Sequence, residues 1–214
     1  MTRLILVRHA ETEANVGQVW QGSADAPLTE RGWRQVEATA RRIAELAREH
    51  PVDAFYVSPL PRAQSTAAAI AQALRHEPRV DNALREFDLG DWEGRTFQEL
   101  RESERLWERW ALDPAFAPPN GESPRSFGQR AVAATRRLAE AHANKTLLLV
   151  THGGFICNAL AYWIGAGFQD WRRWEPHNCA IAVLEGEDDR WDALLVNDVS
   201  HLAPADMVDE PTVY

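Results

Sequence analysis

The chain has 214 residues, 45% of them hydrophobic and 26% charged, the balance of an ordinary globular protein with one sizeable core and at most a small cap. A net charge of −9 argues against a nucleic acid or a membrane surface as the main partner, although a local cluster of Arg and His can still hold a small anion. The two cysteines, Cys157 and Cys179, form no CxxC pair and read as reduced, buried thiols rather than as a disulfide framework.

Met1-Thr2-Arg3 runs directly into the first apolar stretch, which leaves no room for a signal peptide. No apolar stretch reaches the ~18 residues of a membrane span, and a cytoplasmic location is expected. Arg3–Val7 reads as a buried strand, and Glu11 to Pro27, with Gly17 and Gly22, as the loop after it. Thr29 caps a helix to about His50, with Val36, Ala40, Ile43 and Ala47 on one face. Phe55-Tyr56-Val57 is a second strand. Pro61 suits the first turn of a helix that carries Ala67, Ile70, Ala71 and Leu74 inward and ends before Pro78.

Asp81 to Gly94 reads as extended and turning, and Thr96 to Trp110 as one helix with Phe97, Leu100, Leu106, Trp107 and Trp110 as its apolar set. Asp113 to Pro124, with four prolines and Gly121, is a loop, and Ser123 caps a helix through Phe127, Ala131, Thr135 and Leu138. Thr146–Thr151 is a central strand, and Gly153-Gly154 opens a helix with Ile156, Leu160 and Trp163. Ala180–Glu185 and Ala193–Asn197 are two more strands, joined by a turn at Gly186–Asp189, and the residues from about Pro204 are expected to be peripheral. Strand, loop and helix alternate, the pattern of an α/β sheet with crossover helices. The expectation is a single domain over residues 1–214, with about 89–119, which hold three of the nine tryptophans, as a cap over a site.

Four basic side chains mark that site. Arg8 and His9 end the first apolar run, Arg62 follows the second strand at a helix start, and His152 ends Leu147–Val150. Open α/β sheets place ligands beyond the carboxyl ends of their strands. A phosphate dianion leaves water only where several cations and donors replace the solvent. Two guanidinium forks match its oxygens, and a helix N-terminus adds backbone N–H groups. A neutral His9 could attack phosphorus, with Arg8, Arg62 and His152 on the equatorial oxygens. Glu86 could give a proton to the leaving alcohol and then deprotonate water.

Leu6-Val7-Arg8-His9-Ala10-Glu11-Thr12-x-x-Asn15, then Gln21-Gly22 and Pro27-Leu28-Thr29-x-x-Gly32, resemble the opening of the histidine phosphatase superfamily, also called phosphoglycerate-mutase-like. Ser58-Pro59-Leu60-x-Arg62-Ala63-x-x-Thr66-Ala67, Leu84-x-Glu86-x-x-x-Gly90-x-Trp92-Glu93-Gly94 and Thr151-His152-Gly153-Gly154 continue the resemblance in order, over roughly residues 3 to 202. It implies a three-layer α/β/α sandwich with a mostly parallel central sheet, a phosphohistidine intermediate, and no metal or organic cofactor. A small-molecule phosphate ester is the implied partner, and a homodimer is plausible for the family. His9 is then the nucleophile, Arg8, Arg62 and His152 the phosphate pocket, and Glu86 the proton donor. Asn15 and the backbone at Gln21-Gly22 are implied to touch phosphate or substrate. Ala10 departs from the family's glycine, which matters only if that position needs φ > 0.

Within the family, the phosphatase branch of α-ribazole and broad-specificity phosphatases is the better match. Lys145 is the only lysine, the cap has Arg95, Arg101, Arg105 and Arg109 but no Arg-Arg pair, and Leu89 stands where a mutase-like sequence would have tyrosine. Asn120-Gly121-Glu122-Ser123 resembles the phosphatases' Gly-Glu-Ser element. Phosphomonoester hydrolysis is therefore expected, with small esters of non-acidic body. The alternatives are a phosphoglycerate-mutase-type phosphotransferase and a non-catalytic phospho-ligand-binding module. His177 and His201 read as structural, and Asp88, Asp91 and Glu93 as a solvated acidic loop. Arg41-Arg42, Arg136-Arg137 and Arg172-Arg173 fit solvated faces or turns. Trp20, Trp92, Trp107 and Trp110 read as cap packing that could also line the pocket.

Overall fold

Side chains alternate across two adjacent strands, and this divides the core in two. In β1 (Thr2–Arg8), Leu4 and Leu6 join one apolar cluster, while Ile5 and Val7 join another. In β4 (Thr146–Thr151), Leu147 and Leu149 separate from Leu148 and Val150 in the same way. The structure, a computed structural model, describes residues 1–165, 171, 173–188 and 190–207. The sheet order is β3-β2-β4-β1-β5-β6, with β2 at Ala54–Val57, β3 at Arg79–Val80, β5 at Ile181–Glu187 and β6 at Arg190–Asp198. The first four strands by number run parallel; β5 pairs antiparallel with β1, and β6 with β5.

A one-turn helix, α1 (Glu13–Val16), follows β1. α2 (Glu30–Glu49) and α3 (Pro61–Leu74) cover the face of Ile5 and Val7 with Ala40, Ile43, Ala67 and Ile70. Between β3 and β4 the chain forms α4 (Phe97–Glu104), α5 (Leu106–Leu112) and α6 (Pro124–Ala141), and after β4 comes α7 (Gly153–Trp163). α6 and α7 cover the other face through Phe127, Ala131, Phe155 and Ile156. This is the expected three-layer α/β/α sandwich with a mostly parallel sheet.

The helix expected over Thr96 to Trp110 is in fact two, because Arg105 takes the left-handed conformation (φ 50°) and breaks it. The loop from Glu11 to Pro27 contains α1, closed by a Thr12–Asn15 capping box. The extended segment from Asp81 holds two 3-10 turns, Asn82–Leu84 and Gly90–Trp92, and β3 is too short for a sequence pattern to reveal. β6 begins earlier than expected, at Arg190. Residues near Pro204 are tied to α2, since Asp206 pairs with Arg34 (2.7 Å) and its carbonyl accepts from Gln35 Nε2 (2.8 Å). Arg172, Asp189 and the residues beyond 207 lie outside the described residues.

Trp20, Trp92 and Trp110 are buried. Trp20 meets Phe87, Trp107 and Trp110 at ring-centroid distances of 5.8, 5.6 and 5.7 Å, and Phe87 meets Trp110 at 5.2 Å. Tilted and edge contacts of this kind add about 0.5–1.5 kcal/mol each to the burial of their area. They dock residues 97–112 onto the loop after β1 and the segment that carries Glu86. Arg42 pairs with Asp198 (3.5 Å), and Arg136 and Arg137 pair with Glu140 and Asp81, as expected of partly solvated arginines.

Candidate active site

Strand register gathers the basic residues. Val150 lies opposite Val7 on one side and Val57 on the other, so β1, β4 and β2 end level. The residues that follow, His9, His152 and Ser58, therefore stand on one rim. The rings of His9 and His152 have centroids 5.2 Å apart, and both residues are buried.

The two histidines are held in different ways. His9 Nδ1 lies 2.8 Å from the Ala10 carbonyl, which can only accept, so Nδ1 carries the proton and Nε2 keeps its lone pair. His152 Nε2 lies 2.7 Å from Ser58 Oγ, and its buried Nδ1 has no partner among the described residues. If Ser58 donates to Nε2, the proton sits on Nδ1 and is available to a phosphoryl oxygen. Burial, and then Arg62, hold both rings well below the usual histidine range. Arg8 adds to this for each ring, and His9 does so for His152. Both imidazoles are therefore neutral at pH 7, the state a nitrogen nucleophile needs.

Those depressed values make a stability prediction. Above the ordinary histidine pKa near 6.5, both folded and unfolded chains are neutral at these positions. As the pH falls below it, the unfolded chain takes up protons that the folded protein refuses. Stability should then fall by about 1.4 kcal/mol per pH unit for each histidine, until the folded-state pKa is reached. Thermal melts from pH 7 to 5 should show the fall, and His152→Asn should lessen it; an unchanged slope in the variant would refute the assignment.

The arginines are anchored at one edge. Arg62, at the second position of α3, donates through Nη1 to Ala24 O (2.7 Å) and Asp25 Oδ1 (3.3 Å), and through Nη2 to Gly22 O (2.7 Å). Burial pulls its pKa down, and Glu86 and Asp25 oppose this. Arg8 Nη1 donates to Pro176 O at 2.6 Å. The Nε atoms of both arginines are buried without a partner among the described residues, so each keeps a donor uncommitted. Gly22 has φ +51°, and a Cβ there would strike Glu93. Glu93 accepts from the N–H groups of Ser23 (2.6 Å) and Ala24 (2.8 Å), and so shapes the loop whose carbonyls hold Arg62. Glu93 thus has a loop-shaping role that its sequence context does not reveal, although it stays partly solvated as expected.

Glu86 accepts from its neighbour's N–H, Phe87 (2.9 Å), and from Gly154 N–H at the start of α7 (3.1 Å). A Cβ on Gly154 would lie 2.6 Å from Glu86 Oε1, so the glycine is required for this approach. The segment is further braced by Arg130, which donates to the carbonyls of Ala83, Arg85 and Glu86 and is itself gripped by both oxygens of Glu122 (2.8 and 2.5 Å). Glu122 belongs to the Gly-Glu-Ser element, but nothing in the sequence singles out Arg130 among the arginines of its helix. Thr151 Oγ1 donates to Leu84 O (2.7 Å) and ties the end of β4 to the same segment.

The other predicted contacts are placed less directly. Asn15 spends its Oδ1 on Thr12 (N–H, 3.1 Å) and on Asn178 Nδ2 (3.3 Å). Gln21 Nε2 donates to Thr12 Oγ1 (2.7 Å), and its buried Oε1 has no partner among the described residues. Ala10 is not among the positive-φ residues, so alanine fits where the family has glycine. His201 Nε2 meets Thr39 Oγ1 (3.1 Å). The His177 backbone N–H donates to Asn197 Oδ1 (2.8 Å). Cys157 and Cys179 are buried, and burial pushes the Cys179 thiol up to about 12. Among the described residues no group of three or more His, Cys, Asp or Glu could hold a metal ion, and no helix is long and apolar enough to cross a membrane.

The order of these residues and the three-layer fold define one class. The chain belongs to the histidine phosphatase superfamily (branch 1), whose sequence model matches residues 4–199. The "Bifunctional protein Rv2228c" of Mycobacterium tuberculosis is 40% identical over 152 residues, 71% of this chain; the chain spans 41% of that relative's length. The "Probable phosphoglycerate mutase GpmB" of Proteus mirabilis is 34% identical, covering 94% of this chain and 95% of its own length. Among solved structures, the phosphoserine phosphatase of Entamoeba histolytica in complex with phosphoserine superposes with a TM-score of 0.84 at 28% identity, over 95% of this chain and all (100%) of that one. The α-ribazole phosphatase of Shigella flexneri gives 0.79 at 29% identity, over 92% and 96%.

Proposed function

We propose that the protein is a phosphomonoester hydrolase acting on small organic phosphates, with His9 as the nucleophile. The observation that carries this reading is the state of His9: Nδ1 committed to the Ala10 carbonyl, Nε2 unprotonated, in a pocket with Arg8, Arg62 and His152. Nε2 attacks phosphorus as the ester P–O bond breaks, and Glu86 gives the leaving oxygen its proton. Water then attacks the phosphohistidine, Glu86 takes the proton back, and the N–P bond breaks to release orthophosphate. Arg8, Arg62 and His152 Nδ1–H balance the charge on the phosphoryl oxygens throughout.

A phosphoglycerate-mutase-type transfer is the second reading, favoured by the nearly full-length similarity to GpmB. The single lysine and the phosphatase-like Gly-Glu-Ser element favour hydrolysis. With p-nitrophenyl phosphate between about pH 5 and 8, nitrophenol release should be insensitive to EDTA. Phosphate binding without turnover would sink the hydrolase reading. Interconversion of phosphoglycerates that depends on added bisphosphoglycerate would establish the mutase instead.

A further inference from the structure

The mechanism leaves one half-buried acid unused, Glu175. Glu175 immediately precedes Pro176, whose carbonyl accepts from Arg8 Nη1 at 2.6 Å. The segment therefore stands against one of the two phosphate-side arginines. Glu175 lies within the electrostatic reach of both Arg8 and Glu86, and of Cys157 on α7. Its Oε1 is buried and has no hydrogen-bond partner among the described residues. The preceding residue, Trp174, has a buried indole N–H in the same condition and packs against the apolar cluster that includes Trp20, Phe87 and Trp110. A buried carboxylate oxygen without a donor is costly, and among the described residues this one caps no helix and closes no ion pair. Desolvation pushes the Glu175 carboxyl up to about 7, with Arg8 opposing and Glu86 adding to the rise.

Glu86 is the group assigned to the ester oxygen. An acid one residue from the carbonyl that holds Arg8, and within electrostatic reach of Glu86, is on the side of the site where the phosphate would join its alcohol. We propose that Glu175 selects the leaving group, accepting a hydrogen bond from a hydroxyl or ammonium on the alcohol and repelling a carboxylate there. This rests on the phosphomonoester reading of the site. It names the substrate class as phosphate esters of donor-bearing alcohols, and it disfavours phosphoglycerates on charge alone. A site built around an unpaired acceptor rejects ligands that cannot satisfy it far more strongly than an apolar pocket rejects a misfit.

The test measures binding, so that it does not depend on turnover. Glycerol 3-phosphate, O-phosphoethanolamine and 3-phosphoglycerate are titrated calorimetrically at about pH 8.5, where a carboxyl raised to about 7 is ionised, into His9→Ala and into His9→Ala with Glu175→Gln. With Glu175 present, at least one donor-bearing ester should bind roughly tenfold more tightly than 3-phosphoglycerate, and Glu175→Gln should shrink that ratio to about twofold or less. A loss confined to phosphoethanolamine assigns an ammonium ligand, and a loss shared with glycerol 3-phosphate assigns a hydroxyl. An unchanged ratio overturns the proposal. The Glu175→Gln protein should melt no lower than its parent, because an isosteric neutral group replaces an unpaired, half-buried acid; a marked fall in Tm would assign a structural role and also overturn it. Failure of p-nitrophenyl phosphate hydrolysis by the unmodified enzyme is read separately and bears on the hydrolase reading alone.

Discussion

His9→Ala should lower kcat by at least about 10⁴-fold while leaving orthophosphate binding largely intact. The size of the effect follows from the division of labour around the phosphate. In the proposed mechanism Arg8, Arg62 and His152 supply charge and donors, and removing His9 leaves all three in place. What disappears is the lone pair on Nε2; the nearest imidazole, His152, has its Nε2 committed to Ser58. Cys157 is buried, and burial pushes its thiol well above the usual range. Steady-state rates on p-nitrophenyl phosphate measure the loss. An alkaline quench followed by peptide mass spectrometry should find one phosphoryl group on the His9 peptide of the unmodified enzyme, and none in the variant. Because burial and the two arginines hold His9 well below the ordinary histidine range, the acid limb of kcat/KM should lie below pH ~6.5. Turnover that survives in the variant would show that another group carries the phosphoryl transfer.

Glu86→Gln should produce a loss that depends on the alcohol. For an alkyl phosphate, whose leaving oxygen is strongly basic, the rate should fall by about 10²–10⁴-fold. For p-nitrophenyl phosphate the leaving oxygen needs little help, and formation of the phosphoenzyme should slow far less. Glutamine keeps the shape but can accept from only one of the N–H groups of Phe87 and Gly154, which Glu86 binds through different oxygens, so thermal melts of the variant should accompany the rates and show that the segment stays folded. Rapid-mixing measurements of the nitrophenol burst separate the two half-reactions: a preserved burst with a slowed steady state places Glu86 in activating water. Equal losses on both substrates would deny it the role of proton donor.

The rim of the site was readable in advance because it depends on local patterns. Apolar runs that stop at Arg8-His9 and at Thr151-His152 mark strand ends, and Pro61 marks the helix start that carries Arg62. In a parallel sheet those ends share one edge. Residues 96–110 are less legible: Thr96 to Trp110 has a continuous apolar period, and the break at Arg105 goes with packing against Trp20 and Phe87, which lie outside that segment. The role of Glu93 is not legible in the sequence, because its partners are backbone N–H groups at Ser23 and Ala24, some 70 residues away. Arg130 was equally silent, since its carbonyl partners lie in a segment 44 to 47 residues earlier.

The sequence by itself determined the family, the alternation of strands and helices, and the chemical types gathered at the strand ends. These follow from short-range periodicity and from residue types that packing alone would not place there. Only the tertiary contacts show which nitrogen of His9 is free, which edge of each arginine is already spent, and that Glu175 Oε1 is buried without a partner among the described residues. Each of these depends on a backbone carbonyl or a side chain brought close only by the closed sheet and its covering helices, at contacts that sequence spacing does not encode.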